Sequence, residues 1–306
     1  AEIYTGTPQW AKCWDMCKQI IAQHSGGLDN SGLVDDYAKL FAANNSQYVK
    51  GAGGSVSEII WGLPQDPDHT RAWSGSSFML NAFLNSKSDK TKWNSGGSWG
   101  CMTARKQLAD KFEWDDATMT SSADARVRFW ATSADGYSFD ANPVYNLDHQ
   151  QSCGYLPLKY IGWDIDNLGN TVLPATGTTE FLSSDYAMIR LAEVYLSAAE
   201  ADLRGSLGHN TESLKFVNYI RKRAGVATWD ASELTLQNVM EERQRELYTE
   251  CTRRTDLIRD GKWLKGYNWT WKNQVLDGAN LPDRAMLWPI PGTMLDVAGY
   301  TQNPGY

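Results

Sequence analysis

Residues 241–263 read EERQRELYTECTRRTDLIRDGKW, and they constrain the fold most, because charge falls where a helix of this pattern should be apolar. Leu236, Val239, Met240 and Leu247 recur at three- and four-residue spacing, the mark of one buried helical stripe. Arg243 lies on that stripe between Met240 and Leu247. A guanidinium buried without a partner costs several kcal/mol, so the fold must bring carboxylates to it. Glu246, Glu250 and Asp256 are near enough in sequence, and Arg253, Arg254 and Arg259 follow. The expectation is one helix carrying an ion network of Arg243, Glu246, Glu250 and Asp256, which pins helix to helix and performs no turnover.

This stretch also carries a resemblance. It is similar to the C-terminal signature of the SusD/RagB family, E-R-x-x-E-L-x-x-E-x-x-R-x-x-D-L-I-R-x-G-K, filled here by Glu242, Arg243, Glu246, Leu247, Glu250, Arg253, Asp256, Leu257, Ile258, Arg259, Gly261 and Lys262. Cys251 stands where that family usually has glycine, and Asp260 where it often has an aromatic residue. LAEVYL at 191–196, with Ala198, Ala199, Glu200 and Ala201, resembles the family's L-R-L-A-E-x-Y-L-x-x-A-E-A helix. WPIP at 288–291 and TQNPGY at 301–306 resemble its tail. Glu58-Ile59-Ile60-Trp61 resembles its E-I-I-F strand, Asp124-Ala-Arg126 its D-x-R motif, and Tyr37, Leu40 and Phe41 its Y-x-x-L-F region. The likeness is strong over the last 130 residues or so and weaker before them.

Patterning suggests helices over 8–24, 185–204 and 211–224, and one over 103–112 with Thr103 as N-cap. The second and third are separated by Gly205, and residues 1–6 read as a helix end with its glycine cap ahead of the first. Such helix-Gly-helix pairs resemble the family's tetratricopeptide units, which need neighbours to bury their faces. Two pairs are too few, so the expectation is a chain whose natural protein begins well upstream. The anticipated fold is mainly α: a helical part over 1–60 truncated at its N-terminus, an irregular ligand-binding part over 61–180, and a C-terminal helical part with tail over 181–306, in one unit.

At 306 residues the chain can bury a full core, and its net charge of −7 offers no basic stripe for nucleic acid. No apolar run is long enough to span a membrane. Cys13, Cys17, Cys101, Cys153 and Cys251 lack metal-like spacing and read as small buried residues, and the four His are scattered. No phosphate loop or dinucleotide fingerprint is present. Asp115/Asp116 and Asp164/Asp166 read as turn or cap residues rather than the paired carboxylates of a glycosidase. No catalytic residue, cofactor or metal is therefore expected.

Binding remains. Seven of 14 tryptophans (Trp61, Trp73, Trp93, Trp99, Trp114, Trp130 and Trp163) fall in a stretch of weak periodicity. A core rarely needs so many bulky amphipathic rings, whereas the C–H face of a pyranose stacks on them. Trp73 is the first candidate platform, Trp99 between glycines the second, and Trp93, Trp61 and Arg71 follow. Trp263, Trp269, Trp271 and Trp288 read as tail residues packed on the helices. The resemblance implies a lipid-anchored outer-membrane subunit that captures polysaccharide or oligosaccharide, its anchor upstream of this chain. It implies a lid over a SusC-like TonB-dependent transporter, with no bond chemistry. Alternatives are peptide capture as in RagB-like members, a glycan hydrolase, and a helical scaffold for protein alone.

Overall fold

The computed structural model describes residues 8–24, 31–49, 57–69, 71, 73–85, 88–115, 120, 123–135, 137, 154–174, 180–297 and 299–306. In chain order the regular elements are α1 (Trp10–His24), β1 (Ile59–Leu63), α2 (Gly75–Asn81), α3 (Lys106–Ala109), β2 (Asp164–Ile165), β3 (Thr171–Val172), β4 (Tyr186–Arg190), α4 (Leu191–Gly205), α5 (Asn210–Arg223), α6 (Leu236–Glu246), α7 (Arg253–Arg259) and α8 (Gly292–Leu295). Short 3-10 turns fill much of the rest. The molecule is mainly helical.

α4 is the centre of the helical part. Its sequence LAEVYLSAAEADLRG is rich in strong helix formers, and it is buried on nearly every side, from Leu191 to Asp202. Its alanines let α1, α5 and α6 pack against it. A Cβ on Gly205 would come within 2.8 Å of the Trp10 Cβ, so glycine is required where α4 meets α1. The turn into α5 is held by Asp202, whose carboxylate accepts from the His209 amide at 2.9 Å and the Ser213 hydroxyl at 2.7 Å. The expected helix pair over 185–204 and 211–224 is therefore present as α4 and α5, α4 starting later than expected. The reading of residues 1–6 lies outside the described residues.

Three expected helices change form. Residues 186–190 are strand, because Tyr186, Ala187 and Ile189 pair antiparallel with Leu63, Gly62 and Trp61, and helix begins only at Leu191. Residues 241–263 are two helices, α6 and α7, with Thr249 and Cys251 in the left-handed region at φ +62° between them. The helix expected from Thr103 starts at Lys106, because Ala104 exchanges backbone hydrogen bonds with Tyr155 at 2.8 and 3.0 Å. The strand expected at Glu58–Trp61 forms as β1.

Two hydrophobic clusters result. One, around Trp14, Ile21, Tyr195, Phe216 and Val239, belongs to the helices. The other, around Phe41, Ile59, Trp93, Phe112, Trp130 and Tyr160, fills the irregular middle. Trp93, Trp114 and Trp130 are buried in this second core, so three of the seven middle tryptophans serve packing, against the expectation. Trp93 also donates its indole N–H to the Phe129 carbonyl at 2.8 Å, leaving no face for a ligand. The cysteines divide too: Cys17 is buried, whereas Cys101 and Cys251 are exposed rather than buried as expected, and Cys153 lies outside the described residues.

Candidate functional site

The highest charge density lies around α6, and its partners come from far along the chain. Arg190, at the end of β4, donates from Nε to Glu250 at 2.7 Å and from Nη1 to Glu246 at 2.6 Å. Arg223 of α5 holds both oxygens of Glu58 at 2.7 Å and also reaches Glu246. Arg126 is clasped by Asp124 at 2.7 Å and by Glu242 at 2.6 Å. Lys159 reaches Glu250 and donates to the Tyr248 carbonyl at 2.9 Å.

Burial lowers the Lys159 ammonium to about 8, an effect that Glu250 opposes. Burial alone would raise the Glu242 carboxyl, but Arg126, Arg245 and Arg221 outweigh it and hold the group at about 2. Each carboxylate here is occupied by guanidinium or ammonium groups, so none is placed to take a proton from a substrate. The cluster is a clamp joining β1, β4, α5 and α6.

Arg243 belongs to a separate cluster, paired with Asp256 at 3.0 Å, which Arg259 also holds at 2.7 Å. The network expected from four residues is thus two networks: Glu246 and Glu250 serve Arg190 and Lys159 instead of Arg243. Asp166 accepts from the Leu168 and Asn170 amides at 2.8 Å and shapes the β2–β3 turn.

An exposed aromatic shelf forms elsewhere, around α2. Gly75, at φ +56° and with Gln65 only 3.0 Å from where its Cβ would stand, opens this helix two residues after Trp73. Ser76 donates to the Ser184 carbonyl at 2.7 Å and Ser77 accepts from the Leu182 amide at 2.9 Å, which draws Phe181 alongside. Behind α2, the Trp99 amide donates to the Asn81 carbonyl at 2.8 Å. Gly97 lies so close that a Cβ there would sit 2.4 Å from the Asn81 Oδ1.

These ties bring four rings together. Trp73 and Trp99 meet edge to face at 5.4 Å and 61°, Phe181 is 4.4 Å from Trp73, and Phe78 is 5.9 Å from Trp99. Trp73 is 47% and Trp99 40% exposed, and Phe78 also faces solvent. Steeply inclined rings of this kind make a corner with open π faces, suited to C–H surfaces. The pair placed first in the sequence reading therefore stands in one place. Trp61, also exposed, sits on β1 opposite Ile189 and makes no ring contact with the shelf among the described residues. Arg71 is exposed at φ +32°, two residues before Trp73. Phe78 and Phe181 escaped the sequence reading. The signal for Phe78 was present: Ser76, Ser77, Leu80 and Asn81 form the buried side of α2, which leaves Phe78 outward.

Residues 57–306 match the model of the SusD family. The chain belongs to that family. It is 26% identical over 335 aligned residues to the starch-binding protein SusD of Bacteroides thetaiotaomicron, covering 100% of this chain and 58% of that protein. It is 26% identical over 286 residues to SusD-like protein P25 of Formosa agariphila, covering 85% of this chain and 48% of the other. The SusD-family chain thus spans about half the length of the curated relatives it matches.

Solved structures share its fold. A SusD superfamily protein from Parabacteroides distasonis superposes with a TM-score of 0.62 at 19% identity, over 97% of this chain and 57% of the other. Surface glycan-binding protein A from Bacteroides thetaiotaomicron, in complex with laminarihexaose, does so at 0.62 and 22% identity, over 96% and 59%. No helix among the described residues is long and apolar enough to cross a membrane.

Proposed function

We propose that this SusD-family chain captures polysaccharide or oligosaccharide on the shelf of Trp73, Trp99, Phe78 and Phe181. It performs no bond chemistry and delivers the glycan to a SusC-like TonB-dependent transporter at the outer membrane, held there by a lipid anchor. The observation that carries this reading is the corner of four aromatic rings, three of them exposed, fixed by the Trp99 amide on the Asn81 carbonyl, the Ser76 hydroxyl on the Ser184 carbonyl and the Leu182 amide on the Ser77 hydroxyl. The names of two relatives, one starch-binding and one glycan-binding with laminarihexaose bound, support carbohydrate as the ligand. Trp61 and Arg71 are secondary candidates: both are exposed, and Trp61 makes no ring contact with the shelf among the described residues.

Stacking a sugar ring on an indole buries on the order of 60 Å2 of apolar surface, roughly 1–2 kcal/mol. Removing one indole should therefore weaken binding about tenfold. Affinity electrophoresis through gels containing a panel of neutral polysaccharides tests this. Retardation by at least one polysaccharide, lost in Trp73→Ala and Trp99→Ala but kept in Trp93→Phe, is the expected result. Retardation that survives both alanine variants would remove the site. Release of reducing ends during incubation would favour a hydrolase instead.

A further inference from the structure

A second aromatic recess involves α3, α6, α7 and the segment that follows α7, and it shares no residue with the shelf. Its volume is about 240 Å3. Sites for drug-sized ligands run to roughly 300–1,000 Å3, so this one has room for a single sugar ring or a group of that size. Trp263 and Trp269 stand 5.5 Å apart at 31°, and Tyr267 lies 6.2 Å from Trp269.

The charges around these rings all have one sign. Arg105, Arg253 and Arg254 line the recess, and no carboxylate does. That reverses the balance of a chain with 36 acidic against 29 basic residues. Arg126, Arg190, Arg223, Arg243 and Arg259 each hold a carboxylate, whereas no salt bridge of Arg253 or Arg254 is found among the described residues.

Arg254 makes no hydrogen bond or ion pair with any described residue; its guanidinium lies 5.0 Å from the Trp263 ring and 5.0 Å from the Trp288 ring. Arg253 lies over Tyr267 at 4.8 Å and donates from Nη1 to the Met240 carbonyl at 3.3 Å. Its Nε is shielded from solvent and has no partner among the described residues. A guanidinium held by aromatic faces keeps its N–H edge oriented for two parallel bonds to an oxyanion.

We propose that this recess binds an anionic sugar residue, a uronate or a sulfate ester. The rings of Trp263, Tyr267 and Trp269 border its C–H surface, and Arg253 and Arg254 take its charge. Gln244, whose Oε1 accepts from the Tyr267 hydroxyl at 3.3 Å, has its amide N–H groups for a ring hydroxyl. The site is separate from the neutral-glycan shelf and stands or falls without it.

Isothermal titration at low salt distinguishes the possibilities, with trigalacturonate and a sulfated glucosamine disaccharide as probes. Maltotriose, inorganic sulfate and polyglutamate serve as comparisons. At least one charged sugar is expected to bind tenfold or more tightly than all three comparisons, and the probe that binds tells uronate from sulfate ester. Replacing both guanidiniums (Arg253→Gln with Arg254→Gln) should weaken that binding by about ten- to a hundredfold. Trp73→Ala should leave it unchanged, so failure of the shelf and failure of the recess read out separately.

Arg254→Lys keeps the charge and loses the plane, and should give a smaller but measurable loss. It also serves if the double variant does not fold. Equal binding of charged sugars and maltotriose would overturn the proposal. So would equal binding of sulfate, which marks an adventitious ion only, or of polyglutamate, which marks an acidic peptide site. Unchanged affinity in Arg254→Lys would do so as well.

Discussion

Cys251 shows how one residue can stand against the backbone it occupies. Its φ of +62° is in the left-handed region, where a side chain costs roughly 1–2 kcal/mol that glycine avoids. This gives a physical reason for the glycine usual at this position of the family signature. Cys251→Gly should raise the urea midpoint, by about 0.5–1 kcal/mol once the extra freedom of unfolded glycine is offset.

Glu242 makes the opposite kind of statement. Its carboxyl, held at about 2 in the fold, has an ordinary value of 4.5. A depressed acid contributes stability that is fully present above its unfolded value and is lost as pH falls through the folded one. Glu200, Glu246 and Glu250 are lowered too, their arginine partners outweighing burial in each case. Stability should therefore fall steeply between about pH 5 and 2, Glu242 alone contributing on the order of 3 kcal/mol. Urea midpoints flat across that window would contradict this account of the cluster.

Among elements, the short β1–β4 pairing matters more than its length suggests. It replaces the first turn and a half expected of α4, and it sets Glu58 and Arg190 facing α5 and α6. Arg190 then meets Glu246 and Glu250 at once. Arg190→Met leaves two buried carboxylates short of a partner, and should destabilise the protein by about 3–5 kcal/mol in equilibrium unfolding. A loss under 1 kcal/mol would mean that water or Arg223 takes over.

The sequence made Arg243 legible as a buried cation, because it interrupts an apolar stripe. It placed Asp256 rightly but misassigned Glu246 and Glu250, because proximity along α6 says nothing about which carboxylate a strand some fifty residues upstream will claim. In the same way, α2 was unreadable as a seven-residue helix. Its stability comes from Ser184 and Leu182 across the fold, with little from propensity.

For the molecule as a whole, the tryptophans run from enclosed to open, with Trp10, Trp163, Trp263, Trp269 and Trp271 between. Trp93 and Trp130 are almost wholly enclosed and Trp114 nearly so, whereas Trp61, Trp73, Trp99 and Trp288 are between 40% and 73% exposed. Acrylamide quenching of fluorescence should therefore give a curved Stern–Volmer plot with a protected fraction, and that fraction should persist when a glycan shields the shelf. Uniform quenching would mean that the middle core is looser than its packing implies.

Composition alone could not separate enclosed rings from open ones, since an indole suits a core and a docking surface equally well. The linear chain determined the helical class, the family signature and the apolar stripe with its buried charge, and it singled out Trp73 and Trp99 as candidates. Those features are local, carried by residue type and spacing. Tertiary structure alone decided which rings face water, which acids hold which arginines, and that Phe78 and Phe181 join the shelf. Each of those depends on contacts between segments distant in sequence, and hydrophobic periodicity says nothing about them.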